Sequence, residues 1–179
     1  MSWANLESNS RGNDVDCGSE PFKLRRADVT DLEAINELIE VAVMGWSLPE
    51  RVKRLSLASY RYDEHDLSFL ELSVAVTPDP GLIGVAAWEP ADPADVPAAC
   101  TALLLHGLYV APYWQRRGVG TCLYEAAERA AIGKGLDGVL VKAQADAAGF
   151  FRRLGLESMS VLDPERDYPH RYWRALRHP

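Results

Sequence analysis

Leu108-Tyr109-Val110-Ala111-Pro112-Tyr113-Trp114-Gln115-Arg116-Arg117-Gly118-Val119-Gly120-Thr121 is the stretch on which the reading of this chain turns. A strand-like run from Ala102 to Val110 enters a turn at Pro112, and two glycines one residue apart follow. Val119, Cys122, Leu123, Ala126, Ala127 and Ala130 then fall on one helical face, which predicts an amphipathic helix through Ile132 with Gly133 and Gly135 to stop it. Glycines at a helix entrance let the backbone approach a ligand closely. The unpaired amides of the first turn and the helix dipole favour an anion, so a phosphate or pyrophosphate is the natural guest. Arg116 and Arg117 add positive charge beside it. The competing reading, a tight turn whose glycines serve geometry alone, stays open on the GxG pattern by itself. A P-loop is absent, and the dinucleotide pattern GxGxxG fails at Leu123.

Working outward, Phe22 to Arg25 alternates like a strand. Thr30-Asp31-Leu32-Glu33 has the form of a capping box before a helix carrying Leu32, Ile35, Leu38, Ile39, Ala42 and Val43, which Gly45 can end. Ser47-Leu48-Pro49-Glu50 repeats the box, with Pro early in a second helix running to about Ala58. Leu70, Leu72, Val74 and Val76 alternate on one face of a strand from Phe69, the turn Pro78-Asp79-Pro80-Gly81 follows, and Leu82 to Trp88 completes an antiparallel hairpin. The connector Pro90 to Pro97 reads as a surface loop. Val139 to Val141 is a short buried strand. Asp146 can cap a short helix with Phe150, Phe151 and Leu154 that Gly155 closes, and strands around Leu156–Leu162 and His170–Leu176 end the chain. This order implies a mixed sheet with helices packed on it. Residues 1 to 20 are polar and aperiodic and read as a flexible arm, leaving 21 to 179 as one domain.

The chain has 179 residues, 26 acidic and 19 basic, for a formal net charge of −7. That balance argues against a nucleic-acid partner, which normally meets a surplus of Lys and Arg. No stretch approaches the ~18 apolar residues of a membrane span, and the first residues show no export signal. Cys17, Cys100 and Cys122 form no CxxC pair, which fits a reducing, cytoplasmic setting. The acidity is concentrated between residues 60 and 100, where Asp63, Glu64, Asp66, Glu71, Asp79, Glu89, Asp92 and Asp95 face only Arg61. Such a field favours a cationic partner, although a solvated acidic face explains it as well. The cluster Asp63-Glu64-His65-Asp66 lacks metal-site spacing and reads as an exposed loop, so no metal is expected.

Taken together, the loop, its strand and its helix resemble the GNAT superfamily of acyl-CoA-dependent N-acyltransferases. Gln115 to Gly120 matches its pattern of Gln or Arg, two residues, Gly, any residue, Gly or Ala, and Leu154-Gly155-Leu156 is similar to its usual Leu-Gly-Phe. The resemblance spans about Phe22 to Leu176. It implies an α+β (α/β) fold with a mixed, mostly antiparallel sheet and helices on both faces. It also implies acetyl-CoA as cosubstrate, held by Leu108, Tyr109 and Val110 along the pantetheine arm, by Gln115 beside them, and by the amides of Arg116, Arg117, Gly118, Val119, Gly120 and Thr121 at the pyrophosphate. Gly107, a glycine inside a strand, independently marks a bulge or a close backbone approach.

Acyl transfer to an amine needs a neutral nucleophile, donors for the developing oxyanion and a proton for the leaving thiolate. The resemblance makes the Val110 amide the oxyanion donor. Phe151 occupies the position where many members carry a proton-donating Tyr, so Tyr124 or water takes that role, or the thiolate leaves unassisted. His106 and Glu89 are the candidate bases, each competing with an ordinary structural or surface role. Tyr109 and Trp114 are candidate pocket residues, and Cys122 reads as core. The expected activity is direct transfer of acetyl from acetyl-CoA to a primary amine, the acceptor a cationic small molecule or peptide in a pocket made by the first two helices and the connector. A homodimer is compatible with this. An acyl-CoA sensor without turnover, supported by Phe151, and an unrelated α/β domain binding another anion are the alternatives.

Overall fold

Seven strands and four helices alternate in a computed structural model that describes residues 21–79, 81–161 and 169–176. The arm at 1–20, Cys17, Pro80 and Leu162 lie outside them. In chain order these are β1 (Lys23–Arg26), α1 (Leu32–Met44), α2 (Glu50–Ser56), β2 (Glu71–Thr77), β3 (Gly81–Pro90), β4 (Ala102–Val110), α3 (Val119–Gly133), β5 (Gly138–Lys142), α4 (Ala148–Arg153), β6 (Glu157–Ser158) and β7 (Arg171–Ala175). The sheet order is β1-β2-β3-β4-β5-β7-β6. Every neighbouring pair is antiparallel except β4 and β5.

Alternation along the strands divides the core between two faces. Ile35, Leu38, Ile39 and Val43 bring α1 onto one face against Val74, Val85 and Ala87. Val119, Leu123, Ala127 and Ala131 bring α3 onto the other against Ala86, Leu105 and Val139, with Phe151 of α4 beside them. The spacing of three and four residues that predicts these helices is the spacing that buries them. Helices therefore cover both faces of a mostly antiparallel sheet, as expected.

Helix starts differ from the sequence reading in each of the three places where a side-chain cap is expected. The first helix enters through a short 3-10 turn at Val29–Asp31, where Asp28 accepts from the Thr30 amide and Asp31 accepts from the Asp28 amide, so the box lies two residues earlier than Thr30 to Glu33. Pro49 is the N-cap of α2, not an early helical residue. A 3-10 turn at Ala145–Ala147 precedes α4, and neither has a side-chain cap. Ser47 and Asp146, both read as caps, meet each other instead: the Ser47 amide donates to Asp146 Oδ2 at 2.8 Å.

Arg25 fixes β1 to the entrance of α1 through two hydrogen bonds to Asp31, both 2.7 Å. That hydrogen bond, opposed by burial and helped by the Asp28 amide, holds the Asp31 carboxyl below its ordinary pKa. A group whose pKa is depressed by folding stabilises the native state above its unfolded value, and the contribution disappears as pH falls through the folded one. Asp31→Asn should therefore lower the Tm by about 2–4 °C at pH 7, the shift that about 1 kcal/mol produces in a domain of this size. In a pH series the gap should close below the ordinary carboxylate pKa of 3.8; a gap that stays constant down to pH 2 would contradict the assignment.

Candidate active site

Strand β4 pairs with β5 only from Ala102 opposite Gly138 to Leu105 opposite Val141. Beyond Leu105 the two strands part, while β4 stays paired to β3 through Gly107–Ala87, Leu108–Ala86, Tyr109–Val85 and Val110–Gly84. The Ala111 amide bonds the Ile83 carbonyl at 2.9 Å. Antiparallel ladders alternate, so Tyr109 and Gly107 share that orientation toward β3, and Leu108 and Val110 turn their N–H and C=O groups to the opposite edge. That edge is the one β5 has left. Two amides and two carbonyls are thus aimed into a gap, with the Val110 carbonyl accepting from Gln115 Nε2 at 3.3 Å.

Past the strand, Arg116 (φ 60) and Gly118 (φ 84) both take left-handed backbone, and Gly118 is the N-cap of α3. Only glycine adopts that conformation without penalty, which explains Gly118 and leaves Arg116 strained. No side chain caps α3, and its first internal bond runs from the Cys122 amide to Gly118. The amides of Val119, Gly120 and Thr121 consequently have no helical acceptor, an arrangement that suits an anion.

A cavity of about 1020 Å³ joins these parts. Leu108, Tyr109, Val110, Gln115, Arg116, Gly118, Gly120 and Thr121 line it. Arg117 and Val119 do not: Arg117 lies over the Trp114 ring, 5.4 Å from its centroid, and Val119 is a core side chain, so these two reach the cavity at most through backbone. Arg153 of α4 supplies a second cation to the cavity. It escaped the sequence reading because only the fold brings α4 to the loop.

A second cavity of about 470 Å³ opens on the α1 side of β4. The two share Trp46, Leu108, Tyr109, Asp146, Ala147 and Phe151, which mark their junction. His106 and Glu89 both line the smaller cavity, with Nδ1 and Oε1 3.4 Å apart. Their meeting follows from a β-bulge. Gly107 pairs with Ala87 and Leu105 with Trp88, so His106 is the extra residue, and its side chain swings over the strand beside Glu89. Gly107 combines both roles foreseen for it: it adjoins the bulge, and a Cβ there would collide with the Tyr62 hydroxyl and lie 2.8 Å from the Tyr109 ring.

Asn36 of α1 grips Tyr62 by its backbone, donating to the carbonyl at 2.8 Å and accepting from the amide at 2.9 Å. Burial, reinforced by Tyr109, Asp66 and Glu89, pushes the Tyr62 hydroxyl above the ordinary tyrosine range, so it remains a neutral O–H donor. Trp46 stacks with Tyr109 at 6.3 Å and meets Tyr60 edge-on at 5.3 Å. None of Trp46, Tyr60 and Tyr62 stands in a local motif, and no sequence signal marks them.

Several expected site residues lie elsewhere. Tyr124 is 2% exposed in the core under α3, lines neither cavity, and has its hydroxyl pushed to a higher pKa by burial, with Glu128 adding to the shift. Trp114 packs against the core beneath Arg117. The connector lines neither cavity; Asp95 is drawn instead to Lys142 Nζ at 2.7 Å and to Arg171. Of the acidic segment only Glu89 reaches the site. Glu71 pairs with Lys134, and Asp63 and Asp66 accept from each other's amides. Phe151 sits at the junction, stacked on Tyr172, and offers no proton.

A parted strand pair beside an uncapped, glycine-entered helix, opening on a separate basic and acidic pair, defines a site for an elongated anionic ligand meeting a smaller second one. The family comparison names the class: residues 65–157, more than half of the chain, match the acetyltransferase (GNAT) domain, and the chain belongs to that family. No curated protein matches it. Among solved structures, the PaiA N-acetyltransferase of Thermoplasma acidophilum in complex with coenzyme A is similar at 16% identity and a TM-score of 0.69 over 87% of this chain and 99% of that one. A GNAT acetyltransferase of Brucella melitensis in complex with acetyl-CoA is 19% identical, with a TM-score of 0.60 over 86% and 87% of the two chains. A Kribbella flavida GCN5-related N-acetyltransferase is 21% identical, with a TM-score of 0.61 over 87% and 98%. At these identities the likeness is one of fold.

Gly107→Ala should cost about 1–3 kcal/mol, the range for forcing a methyl group into a filled space. Adding Tyr62→Phe should return part of that loss by removing the oxygen that the methyl group meets. Equal and additive losses in denaturant titrations of the two single variants and the double variant would show that the two residues do not touch.

Proposed function

We propose that this protein is an N-acetyltransferase that moves an acetyl group from acetyl-CoA directly to a primary amine of a small molecule or peptide. The observation that carries the reading is the junction of the two cavities at Leu108, whose unpaired backbone faces the gap between β4 and β5. The residues fit the cosubstrate on their own chemistry. The larger cavity offers a strand edge for an amide-bearing arm, free helix amides for a pyrophosphate, and Arg116 and Arg153 for further phosphate charge.

In this reading the roles of individual residues follow from where they lie. Val110 lines only the larger cavity, whereas Leu108 lines both, so the Leu108 amide is better placed than that of Val110 to bond the carbonyl oxygen as charge develops there. Glu89 and His106 lie in the acceptor cavity, and the pair takes one proton from the incoming ammonium, directly or through water. The neutral nitrogen attacks the thioester carbonyl. An N–C bond forms, the C–S bond breaks, and the second nitrogen proton passes to the departing sulfur, giving amide and free thiol. With Phe151 at the junction, that last transfer needs no side-chain acid, because the attacking nitrogen carries the proton itself.

Phe151 also supports a second reading, an acyl-CoA-binding module without turnover. One experiment separates the two. Acetyl-CoA should raise the Tm by binding the folded state alone, and an amine panel should release free thiol with the acetylated amine seen by mass spectrometry. Glu89→Gln and His106→Ala should each lower kcat by about 100-fold or more while leaving the acetyl-CoA shift intact. A Tm shift with no thiol release from any amine favours the binding module. No shift at all removes both readings.

A further inference from the structure

The smaller cavity is walled unevenly, and the unevenness bears on what it accepts. Four aromatic side chains, Trp46, Tyr60, Tyr62 and Tyr109, stand on its α1 side, with Phe151 at the junction. They come from separate places: Trp46 follows α1, Tyr60 and Tyr62 follow α2, and Tyr109 is on β4. The rings already form a network, with Trp46 edge-on to Tyr60 at 5.3 Å and near-parallel to Tyr109 at 6.3 Å. Their charge setting is sparse. Glu89, 28% exposed, shares the base of the cavity with His106, and Asp146 lies at the junction. Among the described residues Lys142 is the only Lys or Arg in the lining, and Asp95 neutralises it at 2.7 Å.

Resting on the acetyl-transfer reading above, we propose that the acceptor is a primary amine carried on an aromatic body and bearing no anionic group, an arylalkylamine. The ammonium is drawn to Glu89 by charge. The ring of the acceptor joins the edge-to-face and stacked contacts of the wall, each worth more than its buried area alone. An amino acid is disfavoured because its carboxylate would meet Glu89 and Asp146 while the single cation is already engaged. An aliphatic diamine is disfavoured because its methylene chain makes none of the ring contacts that the wall offers, even though aromatic faces also attract cations.

The test measures free-thiol release by the full-length protein with saturating acetyl-CoA and four acceptors: 2-phenylethylamine, ethylamine, 1,4-diaminobutane and phenylalanine. The expected kcat/KM for 2-phenylethylamine exceeds those for ethylamine and the diamine at least about tenfold, and that for phenylalanine by about 100-fold, the scale set by one buried ring and one uncompensated charge. Tyr60→Leu should lower the ratio of 2-phenylethylamine to ethylamine about tenfold, and Tyr60→Phe should keep it. Ethylamine, the diamine or phenylalanine turning over as well as 2-phenylethylamine overturns the substrate class and leaves acetyl transfer standing. A thermal shift from acetyl-CoA without release from any of the four overturns it as well, and neither shift nor release overturns the transferase reading with it. A ratio unchanged in Tyr60→Leu shows that the ring wall does not select the acceptor.

Discussion

The end of hydrogen bonding between β4 and β5 at Leu105 is the constraint on which the rest of the site depends. A buried backbone group without a partner costs free energy comparable to a lost hydrogen bond. The sheet nevertheless leaves Leu108 and Val110 facing a gap, and holds them there by keeping the other edge of β4 paired to β3 as far as Val110. Strand β5 is free to diverge because it is anchored elsewhere, by five residue pairs with β7. The opening is thus built into the topology: a parallel step sits in an antiparallel sheet at the one place where a helix must cross over, and that helix, α3, brings its uncapped N-terminus to the mouth of the gap. A ligand with an amide-bearing arm and a pyrophosphate would satisfy both sets of groups together.

The bulge at His106 is the second consequence of the same strand. One inserted residue changes which side chains of β4 face α1, and it does so between Glu89 and Tyr62. Gly107 then has to be bare, because the Tyr62 hydroxyl occupies the space of its Cβ. Asn36 supplies the rigidity, using its amide group as a strand would use a backbone, so that α1 helps position Tyr62 beside the bulge. Bulges and close approaches near functional sites re-aim side chains in this way. Here the result places Glu89, His106 and a neutral hydroxyl donor along one wall.

What could be read from the sequence follows the range of the signal. Strand β4 has the predicted bounds, and α3 extends only one residue past the predicted Ile132, because apolar periodicity and glycine punctuation are local. The glycine loop was legible for the same reason: the glycines, the strand before it and the helix after it lie within one continuous stretch. The helix caps were misread because Ser, Thr and Asp bond whatever donor the fold presents. Ser47 and Asp146 each fit a cap in isolation, yet they are 99 residues apart and bonded to one another. The aromatic wall of the smaller cavity was invisible for a related reason. Trp46, Tyr60 and Tyr62 have no spacing in common with Tyr109, and only the packing of α1 on β4 assembles them. The connector was assigned to that pocket by position in the chain, whereas Asp95 is held on the sheet by Lys142 and Arg171.

Charge offers the last step. The acidic segment, taken as a field, suggested attraction of a cation, but the structure disperses it: Glu71 is matched by Lys134, Asp95 by Lys142 and Arg171, and Asp63 and Asp66 by backbone amides. What remains at the site is Glu89 beside His106, partly shielded from water. A single half-buried carboxylate in an aromatic enclosure acts more strongly on a nearby ammonium than several solvated ones, because screening is weaker there. Across the junction the order is reversed, with Arg116, Arg153 and the helix amides presenting positive potential in the larger cavity. The two cavities therefore differ in sign as well as in size. An anionic donor and a cationic acceptor would each be sorted to its own side, and the Leu108 amide lies where they meet.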